Sequence, residues 1–303
     1  MSDEQNGTAW ADGSLREWRS LSVPLMSDAV VRAAAVFDGM RADLTGDGRV
    51  RLLSGRAHAR RLLRHARSLR IAVAYDEEEI LRAASVVARA EFDATGRTLA
   101  YVRPMALGAR LTDEAGPCSL TIAAFAQETA DHDATVRVQV SALRRPGPDS
   151  LPPQVKSVAN YQLSRLARLG ARAAGFDDAL FLNPEGRLAE AAGAAVLVER
   201  DGRVFTPPSW EGCLPSITVD VMERIAAEVG IPFSRAPIPL PDVTAADGVA
   251  LAGTLADLVD VSCLDDADIP PGPTIATLRR HFRSALSGSE LSPLLEFSEF
   301  SSR

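Results

Sequence analysis

The chain has 303 residues, of which 46% are hydrophobic and 24% are charged. This length predicts two domains or one large one, and the hydrophobic content is sufficient for a sizeable core in either case. The formal net charge of -7 gives no reason to expect nucleic acid or an anionic membrane as the main partner. A small metabolite is the better expectation.

The three cysteines, Cys118, Cys213 and Cys263, lie far apart in the sequence. They lack the close spacing of a metal site, and their odd number argues against a disulfide framework, so we predict a reducing compartment. The N-terminus is polar, and no apolar run approaches the length of a membrane span. We therefore expect a cytoplasmic protein with no membrane segment and no metal.

The first part of the chain has an α+β pattern. In order, it predicts a turn at 9–13, a strand at 49–53, an arginine-rich amphipathic helix at 55–71, a second helix at 77–92, and strands at 99–107 and 119–126. Polar and acidic residues then fill 127–134, which we interpret as a linker. The predicted domains are residues 1–126, a small α/β domain, and residues 135–303, a larger domain.

Alternating strands and helices are predicted for the larger domain. They are a strand at 135–142, a helix capped by Asn160, a strand at 179–182, a hairpin through Asp201-Gly202, a helix at 217–229 capped by Ser216, a strand at 249–252 and a helix at 274–286. The tail from Ser287 is expected to be mobile.

Lys156 is the only lysine in the chain, and all the other side chains counted together as Lys and Arg are arginines. A guanidinium stays protonated and cannot form an imine at neutral pH, whereas a primary amine that loses its proton condenses with carbonyls. Lys156 is therefore a candidate Schiff-base residue. The alternative is a stray surface lysine in an arginine-biased composition.

If Lys156 holds a cofactor aldehyde, the obvious candidate is pyridoxal phosphate, which also needs an anion site and a partner for its ring nitrogen. The helix start at Pro215-Ser216-Ile217-Thr218 could bind the phosphate, although most capped helices bind nothing. Glu190 lies in a run of small apolar residues, where a carboxylate is either exposed or buried with a partner. It is the candidate for the ring nitrogen.

Several motifs occur in the order and spacing of a known family. They are Val36-Phe37-Asp38-Gly39-Met40-Arg41, His58-Ala59-Arg60-Arg61-Leu62, Tyr101-Val102-Arg103-Pro104, Lys156 with Asn160-Tyr161, Glu190-Ala191-Ala192-Gly193-Ala194, Phe205-Thr206-Pro207-Pro208, Leu214-Pro215-Ser216-Ile217-Thr218 and Ala252-Gly253-Thr254. The ordered set resembles the class IV aminotransferases, and the chain is similar to branched-chain-amino-acid aminotransferases of fold type IV over roughly residues 9–285.

The resemblance implies an α+β, two-domain fold type IV enzyme with pyridoxal phosphate, in which the larger domain is a pseudo-barrel. It also implies a homodimer in which the partner's small domain completes each active site. Lys156 would form the internal aldimine and shuttle the proton between the substrate α-carbon and cofactor C4′. The other implied cofactor contacts are Tyr161 to the phenolic oxygen, Glu190 to the pyridine nitrogen, and Arg61, Ile217, Thr218 and Thr254 to the phosphate. The substrate pocket would be lined by Phe37, Gly39, Arg103 and the turn Thr254-Leu255-Ala256.

The predicted reaction moves an amino group between an L-amino acid and a 2-oxo acid, because Tyr-x-Arg-Pro resembles the branch that uses 2-oxoglutarate. Arg32 takes the place of a usual pocket tyrosine, and a cation there would bind a second carboxylate or another anion better than an isobutyl group. Leu255 replaces a usually small residue, and Ser216 a usual glycine. The branched-chain substrate therefore stays open.

Two alternatives remain at this point. One keeps the cofactor and is a lyase of the aminodeoxychorismate-lyase type, or a D-amino-acid or amine transaminase. The other is a non-catalytic protein that binds nucleic acid through the arginine helix at 56–70, against which stand the negative net charge and the lack of interleaved aromatic residues.

Overall fold

The structure is a computed structural model that describes residues 7–108, 119–128, 134–255 and 257–301. It divides into two units. The first comprises Met1–Thr129, Lys156–Ala159 and Glu296–Arg303, and the second comprises Ala130–Val155 and Asn160–Leu295. The short segment that carries Lys156 therefore belongs to the first unit, although the chain on either side of it belongs to the second.

The described residues form both helices and strands, which confirms the predicted α+β class. The helices are α1 (Asp28–Val31), α2 (Gly55–Ser68), α3 (Glu77–Thr95), α4 (Val158–Ala173), α5 (Ile217–Glu228), α6 (Leu240–Thr244) and α7 (Pro273–Leu286). Short 3-10 helices lie at Trp18–Ser20, Ser209–Glu211 and Ser292–Leu295. The strands are β1 (Thr8–Ala11), β2 (Ser14–Glu17), β3 (Ala35–Phe37), β4 (Met40–Leu44), β5 (Val50–Leu52), β6 (Leu99–Leu107), β7 (Ser119–Ala126), β8 (Thr135–Val140), β9 (Asp178–Leu182), β10 (Leu188–Ala191), β11 (Ala195–Arg200), β12 (Arg203–Thr206), β13 (Phe233–Arg235), β14 (Gly248–Gly253), β15 (Asp257–Leu264), β16 (Ala267–Asp268) and β17 (Ser298–Phe300).

The strands of the first unit form one antiparallel sheet in the order β17-β5-β4-β6-β7-β1-β2, and β3 pairs with β6. Buried and half-buried residues alternate along β6, and Ala100, Val102 and Ala106 on its covered face are fully buried. Helix α3 packs against β6 and β7. This alternation is what a sheet with one covered face requires.

Helix α2 buries one stripe and exposes arginines on its other faces. The buried side chains recur at spacings of three and four and include His58, Arg61, Leu62, His65 and Ala66. On the exposed face, Arg56 pairs with Glu78 and Arg60 with Glu77, both from α3. The exposed face of α2 is thus solvated and partly ion-paired, while Arg61 lies on the buried stripe.

The second unit contains a mixed sheet in the order β10-β9-β8-β15-β14-β11-β12-β13, with β16 paired to β15. Strand β8 runs parallel to both neighbours, and β12 runs parallel to β13. Val138, Leu180 and Val196 are among the buried residues of its core. The β11–β12 hairpin turns through Asp201 and Gly202, both at positive φ as the type I′ prediction requires, which confirms it.

The predicted helix at 217–229 is also confirmed, as α5. Ser216 caps it by accepting a hydrogen bond from the Val219 N–H at 3.3 Å. The chain leaves the helix at Gly230, whose φ of +73° favours glycine.

Three local predictions were wrong. Residues 9–11 belong to β1, and the turn itself lies at Asp12-Gly13. Asn160 does not cap α4, because the helix already begins at Val158 and the Asn160 amide instead donates to the carbonyls of Pro152 and Val155. The tail from Ser287 is ordered into a 3-10 helix and β17, which pairs with β5. Burial of Leu295 and the contact of Arg51 with the Phe297 ring also hold it.

Among the described residues, none of the helices combines the length and the hydropathy of a membrane span.

Candidate functional site

A buried carboxylate organises the stripe of α2. Asp38 follows β3 and accepts from Arg61 Nε at 2.8 Å and Nη2 at 2.7 Å, from His58 Nδ1 at 2.8 Å and from the Gly39 N–H at 2.7 Å. Burial alone would raise the pKa of Asp38, but the charge and hydrogen bonds of Arg61 and His58 hold it well below its ordinary value. Burial lowers the pKa of His58 despite its carboxylate partner, so His58 is a neutral donor at neutral pH. Arg61 is therefore a fixed, buried cation.

Two main-chain atoms of Lys156 form hydrogen bonds to α2 and β3 of the first unit. Its N–H donates to His65 Nδ1 at 3.0 Å, and its carbonyl accepts from the Phe37 N–H at 3.1 Å. An antiparallel bridge between Val36 and Ser157 continues this pairing along β3. The lysine side chain leaves this support with Nζ 5.0 Å from the centre of the Phe37 ring.

Arg103 lies near the same aromatic ring. Its guanidinium carbon is 5.4 Å from the Phe37 ring centre and 5.2 Å from that of Tyr101. Gly39 makes this arrangement possible, since a Cβ at that position would overlap the Tyr101 ring and hydroxyl. The structure thus brings Lys156, Phe37, Gly39 and Arg103 together, four of the residues identified from the sequence.

Arg103 also lines a cavity of about 490 Å³ on the face of the sheet that α3 does not cover. The other lining residues include Ala9, Arg16, Pro24, Ser27 and Met105. Arg103 Nε and the Ser27 hydroxyl are buried atoms that have no hydrogen-bond partner within the part of the chain that the structure describes. Such atoms suit a polar ligand group in an otherwise largely apolar cavity.

Glu190 lies on β10 in the second unit, and its carboxylate is held on both oxygens. Oε1 is 3.0 Å from Nη2 of the buried Arg145, and Oε2 accepts from the Leu214 N–H at 2.9 Å. The Cys213 thiol lies beside it, where burial, and next the negative charge of Glu190, raise its pKa to about 12. Cys213 is therefore a protonated thiol rather than a nucleophile at neutral pH.

The start of α5 and the turn after β14 are further parts of the second unit. Ile217 and Thr218 are the first two residues of α5, where backbone N–H groups have no intrahelical acceptor and attract anions. Thr254 and Leu255 lie half-buried in the turn that joins β14 to β15. Ala256, the third residue predicted for this turn, lies outside the described residues.

Two predicted residues lie elsewhere in their units. Arg32 ends α1 and forms an ion pair with Asp28 at 2.8 Å, with 63% of its side chain exposed. Tyr161 is half-buried in the first turns of α4.

Sequence reasoning missed three residues of these clusters: Asp38, His65 and Arg145. Asp38 and His65 carried a signal, because one is part of the Val-Phe-Asp-Gly motif and the other lies four residues after Arg61 on the same helix face. Arg145 follows a strand in a loop and carries no local pattern that could have identified it.

Comparison with known proteins gives consistent matches over nearly the whole chain. The model of the family "Amino-transferase class IV" matches residues 35–264. The branched-chain-amino-acid aminotransferase of Salmonella typhimurium is 28% identical over 302 residues, covering 95% of this chain and 96% of that protein.

Two solved structures are similar over the same extent. The branched-chain aminotransferase of Thermoproteus uzoniensis with norvaline has a TM-score of 0.90 at 28% identity and covers 97% of this chain and 99% of that one. The branched-chain amino acid aminotransferase of "T.th." complexed with N-(5'-phosphopyridoxyl)-L-glutamate has a TM-score of 0.86 at 28% identity and covers 94% of this chain and 95% of that one. The predicted fold type IV architecture is thereby confirmed, and the chain belongs to the class IV aminotransferases, which are pyridoxal-phosphate-dependent transaminases.

Proposed function

We propose that the chain binds pyridoxal phosphate covalently at Lys156 and moves an amino group between an L-amino acid and a 2-oxo acid such as 2-oxoglutarate. The observation that carries the proposal is Lys156 itself. The only ε-amine of the chain is held by its own backbone against β3 and α2, and its Nζ lies beside Phe37. A stray surface lysine has no need of such support.

The donors and acceptors of both units fit the cofactor's chemistry. A phosphate needs cations and N–H donors, and we assign Arg61, the amides of Ile217 and Thr218, and Thr254 to it. Asp38 fixes the orientation of the Arg61 guanidinium through Nε and Nη2. A protonated pyridine nitrogen needs a carboxylate partner, and we assign Glu190 to it. Arg145 and the Leu214 N–H hold the Glu190 carboxylate in place. Tyr161 is assigned to the phenolic oxygen.

When bound, pyridoxal phosphate acts as an electron sink for negative charge at the substrate α-carbon. Once a substrate amine has displaced it from the cofactor, Lys156 Nζ would take the proton from that carbon and return it at C4′, so it would serve as base and then as acid. The Phe37 ring beside Nζ limits the access of water to the amine.

Arg103 is the proposed anchor for a substrate carboxylate. Its buried Nε has no hydrogen-bond partner among the described residues, and a planar guanidinium binds a carboxylate with two parallel hydrogen bonds. The L-glutamate moiety in the complex of the "T.th." enzyme supports an acidic substrate here. Phe37, Gly39, Leu255 and Ala256 would line the rest of the pocket. Arg32 would bind a second anionic group if its pair with Asp28 opens.

The first test is chemical. Borohydride reduction of the purified protein with pyridoxal phosphate should attach one cofactor to the peptide containing Lys156, and Lys156→Arg should abolish the attachment while the chain stays folded. In a separate, unreduced sample of the holoenzyme, addition of L-glutamate should convert the bound cofactor to the amine form, and D-glutamate should not. A protein that is never labelled at Lys156 would contradict the proposal. Labelling without any accumulation of the amine form would instead indicate a lyase.

Arg103→Gln tests the substrate class. We expect the efficiency with 2-oxoglutarate to fall about ten- to hundredfold, since a hydrogen bond to a charged group contributes about 1.5–3 kcal/mol. The efficiency with a monocarboxylic 2-oxo acid should change much less. Arg172→Gln, at an exposed position in the last turn of α4, is the matched control.

We further propose a cytoplasmic homodimer. Five apolar side chains before and within α1 are exposed, namely Val23, Leu25, Met26, Val30 and Val31. A cluster of this kind is typical of an interface. The two free cysteines among the described residues, Cys213 and Cys263, fit a reducing compartment. Light scattering should give twice the chain mass, and Leu25→Ser with Met26→Ser should reduce it to one.

Nucleic-acid binding through α2 has little support. The exposed Arg56 and Arg60 are already paired with acidic residues of α3, and the chain is acidic overall. Polyanion binding would need those pairs to break.

A further inference from the structure

A side-chain acceptor takes part in attaching the Lys156 main chain. The hydrogen bond from the Phe37 N–H to the Lys156 carbonyl joins two backbones, so it is independent of side-chain identity. The bond from the Lys156 N–H to His65 Nδ1, 3.0 Å long, exists only because residue 65 offers an acceptor. His65 is buried on the inner stripe of α2, with 3% of its surface exposed.

An imidazole accepts at Nδ1 only when that nitrogen is unprotonated. Burial, and next the positive charge of Arg61, lower the pKa of His65 to about 4, so the acceptor is available at neutral pH. The other charges that act on the ring are Asp38, Arg64 and Lys156. With Nδ1 occupied as acceptor, the ring proton is on Nε2.

His65 lies four residues after Arg61 on the same rigid helix, a rise of about 6 Å. The helix therefore carries both the guanidinium assigned to the cofactor phosphate and the acceptor that holds the lysine backbone. A shift of either residue relative to the other would misplace the amine, and catalysis is sensitive to displacements of about 1 Å.

We propose that His65 is a positioning residue for the reaction: it holds the backbone of Lys156 at a fixed distance from Arg61 through one turn of α2. This inference rests on the proposed role of Lys156 as the cofactor-bearing residue. It assigns His65 no contact with substrate or cofactor.

A matched pair of substitutions tests it. In His65→Asn, Oδ1 takes the place of Nδ1 and can accept the same hydrogen bond, whereas His65→Leu has the same branching and offers no acceptor.

We expect His65→Leu to lower kcat about tenfold with little change in KM, because a buried N–H without a partner costs about 1–3 kcal/mol and the lysine loses its support. His65→Asn should restore kcat to near that of the unchanged holoenzyme. His281→Leu, in α7, controls for the loss of an imidazole from another helix.

Two readouts separate positioning from simple stability. The absorbance of the bound cofactor changes with pH, and the midpoint of this change should shift in His65→Leu. In His65→Asn the midpoint should equal that of the unchanged protein. Hydrogen exchange at the Lys156 amide, measured without cofactor, should be faster in His65→Leu alone. Equal kcat and equal midpoints in the two variants would overturn the inference. Absence of cofactor labelling in the unchanged protein would overturn the proposed function instead, and the exchange comparison would still decide whether His65 holds the amide.

Discussion

Asp38 and Arg61 form a bidentate ion pair in the interior of the first unit. Arg61 Nε donates to Oδ2 at 2.8 Å and Nη2 to Oδ1 at 2.7 Å, and both residues are buried. Asp38→Asn keeps the shape of the side chain and removes its charge, which leaves the Arg61 guanidinium buried without this counterion. We expect the free energy of unfolding in urea to fall by about 3–5 kcal/mol.

The pair between Asp28 and Arg32 is the matched control, because it has a similar bond length at an exposed position. Asp28→Asn should cost less than about 1 kcal/mol. Equal losses for the two substitutions would contradict the role of Asp38 as the counterion that keeps Arg61 buried.

Stability should depend on pH through the buried histidines. The pKa of His65 is lowered from 6.5 to about 4 in the folded chain, so between those values the unfolded chain binds more protons. The free energy of unfolding should therefore fall as the pH drops from about 6.5 to about 4, by at most about 1.4 kcal/mol per pH unit for one group. The pKa of His58 is lowered too and acts in the same direction.

His65→Asn removes one of these groups and should flatten the slope in this window, as measured by urea denaturation at several pH values. The contribution of Asp38 should be lost only as the pH falls below the ordinary aspartate value of 3.8, because its pKa is held lower in the folded chain. An unchanged slope in His65→Asn would show that His65 titrates alike in both states.

Gly39 should tolerate no side chain. A Cβ there would overlap the Tyr101 ring and hydroxyl, and Tyr101 in turn stacks against Arg103. Gly39→Ala should lower the free energy of unfolding by about 1–3 kcal/mol, the usual cost of overpacking, and raise KM through displacement of Arg103. Gly46→Ala, where a Cβ meets nothing within 4 Å, should change stability by less than about 0.5 kcal/mol. Similar effects at the two glycines would contradict the packing argument.

Local patterns predicted the elements whose cause is local. The amphipathic helix α2, the cap of α5 at Ser216 and the turn through Asp201-Gly202 all depend on residues a few positions apart, and all were confirmed. The sequence also predicted that Glu190 would be either exposed or partnered, since burial of a lone carboxylate is costly.

Long-range pairing could not be predicted in the same way. Arg145 is the partner of Glu190, yet nothing near either residue indicates the other. Strand β17 is too short to be predicted from alternation alone, and it forms because β5 offers an edge. The attachment of Lys156 to His65 and Phe37 required the backbone path, which no spacing in the sequence encodes.

Glu190 and Arg145 give the sharpest test in the second unit. Glu190→Gln keeps an oxygen for the Leu214 N–H but removes the charge that lies 3.0 Å from Arg145 Nη2. The carboxylate proposed to keep the cofactor's ring nitrogen protonated would be lost with it. We expect kcat/KM to fall roughly ten- to hundredfold, because hydrogen bonds to charged groups contribute about 1.5–3 kcal/mol.

Glu185→Gln, at an exposed position 3.8 Å from Arg187, should leave kcat/KM unchanged. Arg145 keeps its hydrogen bonds to the carbonyls of Gly212 and Pro153, so the variant should still fold. A folded Glu190→Gln protein with full activity would mean that the ring nitrogen has a different partner.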